Sequence, residues 1–352
     1  MFKKTFLVVF LIGLLIFGYF LIGSSQNRAQ SFISPLVSSS NPGRVKITPI
    51  LTPAVSYEKY SFPNLAKRQF NGSLIQIGEE ILKEDDYDYQ PYFFYFDSEG
   101  KKVSGQLNLP NKSGKFPLVI MLRGYVDKEI YFTGLGTRKA AGFFAENGFV
   151  TLAPDFLGFS RSDEESDDIL LNRFRRPETV LNLLASVKNL NQALERKGLN
   201  VRVDPDQLFI WAHSNGGQIA LSVLEITGQP IPTTLWAPVS EGFPESILQY
   251  ADEMDDDGQI VITAVRQFEL NHDPTEFSIA EYWNQISAPV QIHQGTDDPY
   301  IEAQDSKRLW QTLKKNGLPA TYLAYQGDDH NLSEGWDEVV NSDLIFFQDY
   351  LK

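Results

Sequence analysis

Six short apolar runs that alternate with helical patterns limit the folds open to this 352-residue chain. They are PLVIML (Pro117 to Leu122), FVTLAP (Phe149 to Pro154), QLFIWA (Gln207 to Ala212), PTTLWAP (Pro232 to Pro238), APVQIHQ (Ala288 to Gln294) and TYLAYQ (Thr321 to Gln326). Short, nearly continuous apolar runs bounded by turn signals read as strands covered on both faces. Helical spacing appears from Arg138 to Asn147, from Pro177 through Val180, Leu183, Leu184, Val187, Leu190 and Leu194, and from Ala303 to Asn316. Pro177 suits a first helical turn, and Gly198, Gly228 and Gly317 supply stops. The alternation predicts an α/β fold with a mostly parallel central sheet and helices on both faces. Upstream, YFFYFDSEGKKVSGQLNLP predicts an antiparallel hairpin turning at Ser98-Glu99-Gly100.

The rhythm breaks between Val239 and Ile286, in an acidic and irregular stretch. Inserted at a strand's carboxyl end, these residues (239–286) are expected to form a small cap over the site. Asp255-Asp256-Asp257-Gly258 resembles part of a calcium loop, but with Gly258 as the sixth position the twelfth is Ala264 rather than a glutamate. The stretch reads as a solvated acidic loop.

A net charge of −14 leaves no basic stripe to displace the counterions of a phosphate backbone, so nucleic acid is excluded as a partner. Cysteine is absent, which removes disulfides, thiolate nucleophiles and Cys-based metal sites. A nucleophile must then be an oxygen or a lysine, and the base must come from four histidines, His213, His272, His293 and His330. No paired metal-ligand spacing or dinucleotide fingerprint occurs, so no cofactor is expected.

At the amino terminus, Lys3 and Lys4 precede 19 uncharged residues, 5–23, which would span roughly 28 Å as helix. This predicts a transmembrane anchor in residues 1–23, with the rest of the chain extracytoplasmic. Cleavage near Gly23-Ser24-Ser25, giving a secreted protein, is the alternative. Residues 24–55 are rich in Ser, Pro and Asn and read as a flexible linker. Residues 56–352 are expected to be the catalytic domain.

Within that domain, IWAHSNGGQIA sets Ser214 between the QLFIWA strand and a helical pattern. A serine on such a turn presents its hydroxyl near a helix N-terminus, where N–H groups favour developing negative charge. The tight turn needs small neighbours, which Ala212, Gly216 and Gly217 supply. On this motif alone, a helix-capping serine is the rival reading. A serine nucleophile also needs a base and a group to hold that base. QIHQGTDDPYI and YQGDDHNL follow in that order, each after an apolar strand, and offer Asp298 (preferred to Asp297) and His330. His293 reads as a core residue and His272 as an exposed one.

The series RGY, APDFLGFSRSD, AHSNGG, QGTDDPYI and DDH resembles the α/β-hydrolase fold over roughly residues 89–352. Within that fold it is similar to the prolyl-oligopeptidase-like (S9) and dienelactone-hydrolase-like serine hydrolases. The interval of 32 residues from Asp298 to His330, and DPTEFSIAEYW before the acid strand, point toward the S9 catalytic domain. The resemblance implies a serine hydrolase cleaving an ester or a small peptide bond through an acyl-enzyme on Ser214, with backbone N–H groups of Tyr125 and Asn215 as the oxyanion hole. Arg123 stands where such families usually carry histidine. It is a candidate for binding a substrate carboxylate or for a structural ion pair, and His213 is a candidate pocket residue. The acidic cap hints at cationic substrate groups. A β-propeller needs several blades of about 40 residues, more than lies between linker and core. A catalytically inactive binding module is the alternative from another class.

Overall fold

The computed structural model describes residues 56–352 apart from Glu84, Asp252, Glu253 and Asp255, and these described residues fall in a single compact unit. The predicted anchor at residues 5–23 and the linker up to residue 55 lie outside the described residues. Among the described residues, no helix is long and apolar enough to cross a membrane.

Nine strands form one sheet: β1 (Gln76–Glu80), β2 (Tyr89–Ser98), β3 (Lys101–Pro110), β4 (Gly114–Leu122), β5 (Val150–Pro154), β6 (Val201–His213), β7 (Thr233–Trp236), β8 (Val290–Gly295) and β9 (Ala320–Tyr325). Their order across the sheet is β1-β2-β3-β5-β4-β6-β7-β8-β9. β1, β2, β3 and β5 pair antiparallel, and every pair from β5 to β9 is parallel. The expected hairpin is β2–β3, with Ser98 opposite Lys101.

β4 illustrates why these apolar runs become central strands. Side chains alternate between faces, so Leu118, Ile120 and Leu122 join one core cluster while Val119 and Met121 join another. The first cluster is closed by α3 (Ile169–Ser186), α4 (Leu190–Lys197), α5 (Asn215–Thr227) and α8 (Ala303–Lys315). The second is closed by α2 (Arg138–Glu146) and α9 (Trp336–Asp349). Both faces are therefore covered, as the continuous apolar runs predict.

Outside residues 239–286, two elements escape the sequence pattern: α1 (Phe62–Lys67) and the edge strand β1. Another differs in its start, because α3 begins at Ile169 and Pro177 lies in its interior. Asp168 caps this helix, its Oδ1 accepting from the Leu171 N–H at 2.9 Å. Leu170, Leu171 and Phe174 then extend the apolar stripe upstream of the proline. The cost of the proline is a missing donor to the Arg173 carbonyl.

Between β7 and β8, residues 239–286 fold into α6 (Glu245–Leu248), α7 (Gln259–Glu269) and three short 3-10 turns. This insertion has its own apolar cluster. Phe243, Ile247, Val261, Val265, Phe268 and Phe277 pack on the first turns of α3 through Leu170, Leu171 and Phe174.

Glu225, in α5, is 1% exposed and both its carboxyl oxygens lack a hydrogen-bond partner. Burial raises its pKa well above the usual range, so the folded protein holds a proton there that the unfolded chain releases. The stability linked to that proton is complete below the unfolded value near 4.5 and is lost as pH rises toward the folded value. Glu225→Gln should therefore lose less stability than the wild type when urea midpoints are compared between about pH 5 and 8. Parallel curves would contradict the assignment.

Candidate active site

The carboxyl ends of β4, β6, β8 and β9 deliver the four segments singled out in the sequence to one edge of the sheet. β4 lies between β5 and β6, so its neighbours arrive from opposite directions and a crevice opens at this switch point.

Ser214 joins β6 directly to α5 with φ 54° and ψ −123°, a conformation rare for a residue with a Cβ. Its N–H donates to the Trp236 carbonyl at 2.9 Å, and its own carbonyl accepts from Gly217 at 2.9 Å and Val239 at 3.0 Å. The turn is also hemmed in. A Cβ on Gly216 would lie 2.1 Å from the Leu122 carbonyl oxygen, and one on Gly217 would lie 2.5 Å from the Pro238 Cβ. On the facing loop, a Cβ on Gly124 would lie 2.9 Å from the Ser214 Cβ. Ser214 makes no side-chain capping hydrogen bond, which removes the helix-cap reading of the serine. Asn215 is the first residue of α5, and a first-turn N–H has no carbonyl within its own helix.

His330 Nδ1 and Asp298 Oδ2 are hydrogen-bonded at 2.8 Å. Asp298 rather than Asp297 makes this contact, and the loop explains why. The other Asp298 oxygen accepts from the Tyr300 and Ile301 N–H groups at 2.8 and 3.0 Å, while Gln294 Nε2 donates to Oδ2 at 3.0 Å. Burial pushes this carboxyl upward, but the His330 hydrogen bond and the two amides outweigh it and hold its pKa below the ordinary value. Gln294 also donates to the carbonyls of Gly295 and Ile301 and accepts from Ser306. Sequence reasoning missed this residue, because a glutamine ending an apolar strand gives no signal of its own.

Asp328 and Asp329 are loop carboxylates that shape the turn carrying His330. Asp328 accepts from the amides of Asp329, Glu334 and Gly335, and Asp329 accepts from Asn331 and Ser333. Tyr300, 55% exposed, sets its ring edge-on to His330 with centroids 5.2 Å apart.

Ser214 Oγ and His330 make no direct hydrogen bond among the described residues, whereas His213 and His330 are in contact. The His213 Nε2 lies 3.0 Å from the His330 carbonyl oxygen, and the two rings are 4.7 Å apart. A carbonyl only accepts, so Nε2 carries the proton. Burial, followed by repulsion from His330, depresses the His213 pKa to about 4. His213 is thus a neutral imidazole that holds the histidine loop by its backbone.

Arg123 turns inward and is 6% exposed. Its guanidinium donates to the carbonyls of Gly124 and Asp155 at 2.9 and 3.1 Å and lies over the rings of Tyr131 and Phe159. Against the expectation that it could reach a substrate carboxylate, its two terminal nitrogens are committed to the frame of the loop, while Nε is buried without a hydrogen-bond partner. The Asp155 carboxylate is itself buried and accepts from Ser104, Tyr131 and Thr133. Tyr125 faces the other way, 73% exposed, with its hydroxyl donating to Asp127 at 2.7 Å.

The remaining histidines are occupied elsewhere. His293 is fully buried, bonded to Asp343 at 2.9 Å and Tyr325 at 2.8 Å. His272 is half-buried against Phe268 and Tyr57 rather than exposed.

The His213 assignment has a spectroscopic consequence. In ¹⁵N-resolved imidazole spectra, His213 should stay neutral with its proton on Nε2 until the pH approaches about 4. Protonation nearer the ordinary histidine value would contradict it.

A family model for chlorophyllase matches residues 101–230. No curated protein matches the sequence. Among solved structures, the chain is similar to a puromycin-hydrolyzing peptidase of Mycobacterium tuberculosis at 17% identity and a TM-score of 0.54, over 77% of this chain and 40% of that one. It is similar to acetyl xylan esterase 1 of a Thermoanaerobacterium species at 15% identity and a TM-score of 0.55, over 84% and 94% of the two chains. Dipeptidyl peptidase 4 of Porphyromonas gingivalis gives 16% identity and a TM-score of 0.53, over 75% and 36%. The chain thus spans about two fifths of the first peptidase but nearly the whole esterase. Identities this low speak to fold alone, and the fold of this chain is the α/β-hydrolase fold.

Proposed function

We propose that this protein is a serine hydrolase that cleaves a carboxylic ester or a small peptide bond through an acyl-enzyme on Ser214. The observation that carries the reading is the 2.8 Å His330–Asp298 hydrogen bond beside the strained turn at Ser214. A carboxylate on Nδ1 fixes the tautomer that leaves Nε2 free to accept a proton.

In this mechanism substrate binding draws Ser214 Oγ and His330 Nε2 into hydrogen-bond contact, a tightening common to such sites. His330 removes the Oγ proton as the oxygen attacks the substrate carbonyl. The N–H groups of Tyr125 and Asn215 bind the oxyanion, each oriented before the reaction begins. His330 then gives the proton to the departing alcohol or amine, leaving an acyl group on Ser214. Water attacks that ester with His330 again as base, and the acid leaves with Ser214 restored. Asp298 stabilises the imidazolium formed in each half and stays ionised, in keeping with its depressed pKa.

The similar structures include both an esterase and peptidases. Support for either bond type is therefore equal on that ground. The insertion at residues 239–286 borders the nucleophile helix and is the element that would restrict substrate size.

The experiment is a comparison of p-nitrophenyl acyl esters with aminoacyl and prolyl p-nitroanilides. Turnover by the wild type should vanish in Ser214→Ala and fall by about three to four orders of magnitude in Asp298→Asn. Clear anilide turnover would assign peptidase activity. Turnover that persists in Ser214→Ala would overturn the reading.

A further inference from the structure

Arg123 is a buried cation whose hydrogen-bond acceptors are both neutral. Its terminal nitrogens donate to two main-chain carbonyls, Gly124 at 2.9 Å and Asp155 at 3.1 Å. The Asp155 carboxylate is taken up instead by Ser104, Tyr131 and Thr133, and among the described residues Arg123 makes no ion pair. The guanidinium lies 4.5 Å from the ring centre of Tyr131 and 4.1 Å from that of Phe159. A neutral side chain would fill this cradle at lower cost, because a buried charge must recover its lost hydration from its partners. The charge is therefore explained by what those partners do, not by packing.

One of them stands beside the nucleophile. The Gly124 carbonyl belongs to the peptide unit whose N–H is that of Tyr125. This peptide is trans, so its C=O and N–H point in opposite directions within one plane. With the carbonyl held by Arg123, the Tyr125 N–H points away from the guanidinium, and it donates to no acceptor among the described residues. The unit also begins next to Ser214: a Cβ on Gly124 would lie 3.4 Å from the Ser214 Oγ.

The second expected donor, Asn215, is oriented by the first turn of α5. Tyr125 has no helix to orient it, and its own side chain is 73% exposed and bound to Asp127. The Arg123 bond supplies what the loop lacks. A charged donor on a carbonyl also polarises the amide and strengthens its N–H as a donor, by about 10–30% per bond.

We infer that Arg123 is the positioning residue of the oxyanion hole: through the Gly124 carbonyl, its guanidinium fixes and polarises the peptide whose Tyr125 N–H receives the negative charge developing on the substrate oxygen. This role rests on the serine-hydrolase reading and gives the arginine a part in the chemical step.

The test sets a trifluoromethyl ketone against the methyl ketone of the same chain length, alongside turnover of a p-nitrophenyl ester. On the trifluoromethyl ketone, Ser214 Oγ bonds to the carbonyl carbon, its proton passes to His330, and the carbonyl oxygen becomes an oxyanion; the methyl ketone binds without this addition. In Arg123→Met, kcat/KM for the ester should fall by about ten- to a hundredfold, less than or equal to the loss of one oxyanion donor. Inhibition by the trifluoromethyl ketone should weaken by a similar factor, and inhibition by the methyl ketone should change by less than about twofold. Arg123→Lys, which keeps the charge but not the fork, should recover part of both losses. Thr133→Val frees the same loop from Asp155 without touching the Gly124 peptide, and should leave the ratio of the two ketones within about twofold of the wild type.

Equal weakening of the two ketones in Arg123→Met would overturn the role, as would unchanged ester turnover or a Thr133→Val that matches Arg123→Met. If Arg123→Met does not fold, Arg123→Lys carries the same comparison, and failure of both to fold would mark a purely structural arginine. A wild type that neither turns over the ester nor prefers the trifluoromethyl ketone would overturn the hydrolase reading as well.

Discussion

Ser214 is held at φ 54° and ψ −123°, a conformation that costs a residue with a side chain on the order of 1–3 kcal/mol, and its surroundings are arranged around that strain. Three backbone hydrogen bonds at its N–H and carbonyl tie the turn to the end of β7, the first turn of α5 and Val239 at the start of the insertion. Glycines at 124, 216 and 217 let the loop after β4, the helix and Pro238 close to distances at which a Cβ would collide. The Ser214 Oγ lies against the loop after β4, 3.4 Å from where a Gly124 Cβ would sit. Phe156, Ala237 and Leu332 also adopt positive φ at the same edge, so the strain is shared among several loops rather than confined to one residue.

A polar frame beside the serine fixes the loop that carries His330. Gln294 spans the carboxyl end of β8 and fixes Asp298, which fixes one side of the His330 ring. Asp328 and Asp329 build the turn through backbone amides, and His213 holds the His330 carbonyl from the side of Ser214. On the opposite wall, Asp155 gathers Ser104, Tyr131 and Thr133, while the Arg123 guanidinium secures the loop that begins the predicted oxyanion hole. Buried polar groups of this kind rigidify a site only when each has its partners. Here the partners are mostly main-chain atoms, so the geometry depends on the paths of the loops as much as on side-chain identity.

The sheet was legible because each parallel strand is buried on both faces and leaves a continuous apolar run, and because Gly198 and Gly228 end helices in the left-handed conformation. Ser214, Asp298 and His330 were legible because their loops directly follow those runs. The start of α3 was not, since the capping Asp168 lies among other acids and Pro177 carries the stronger local signal. Gln294 is invisible for a different reason, because it acts through three carbonyl and carboxylate partners brought together by folding. For Arg123 the sequence offers a substrate-carboxylate ligand or a structural ion pair, and its aromatic cradle of Tyr131 and Phe159 is a property of the tertiary structure.

The central claim is that Ser214 is an activated nucleophile. Reaction with a fluorophosphonate followed by peptide mapping in a mass spectrometer tests it most directly. One adduct is expected, on the peptide containing Ser214, formed at a rate that depends on His330. A folded protein that takes up no fluorophosphonate, or that carries the adduct on another residue, would contradict it.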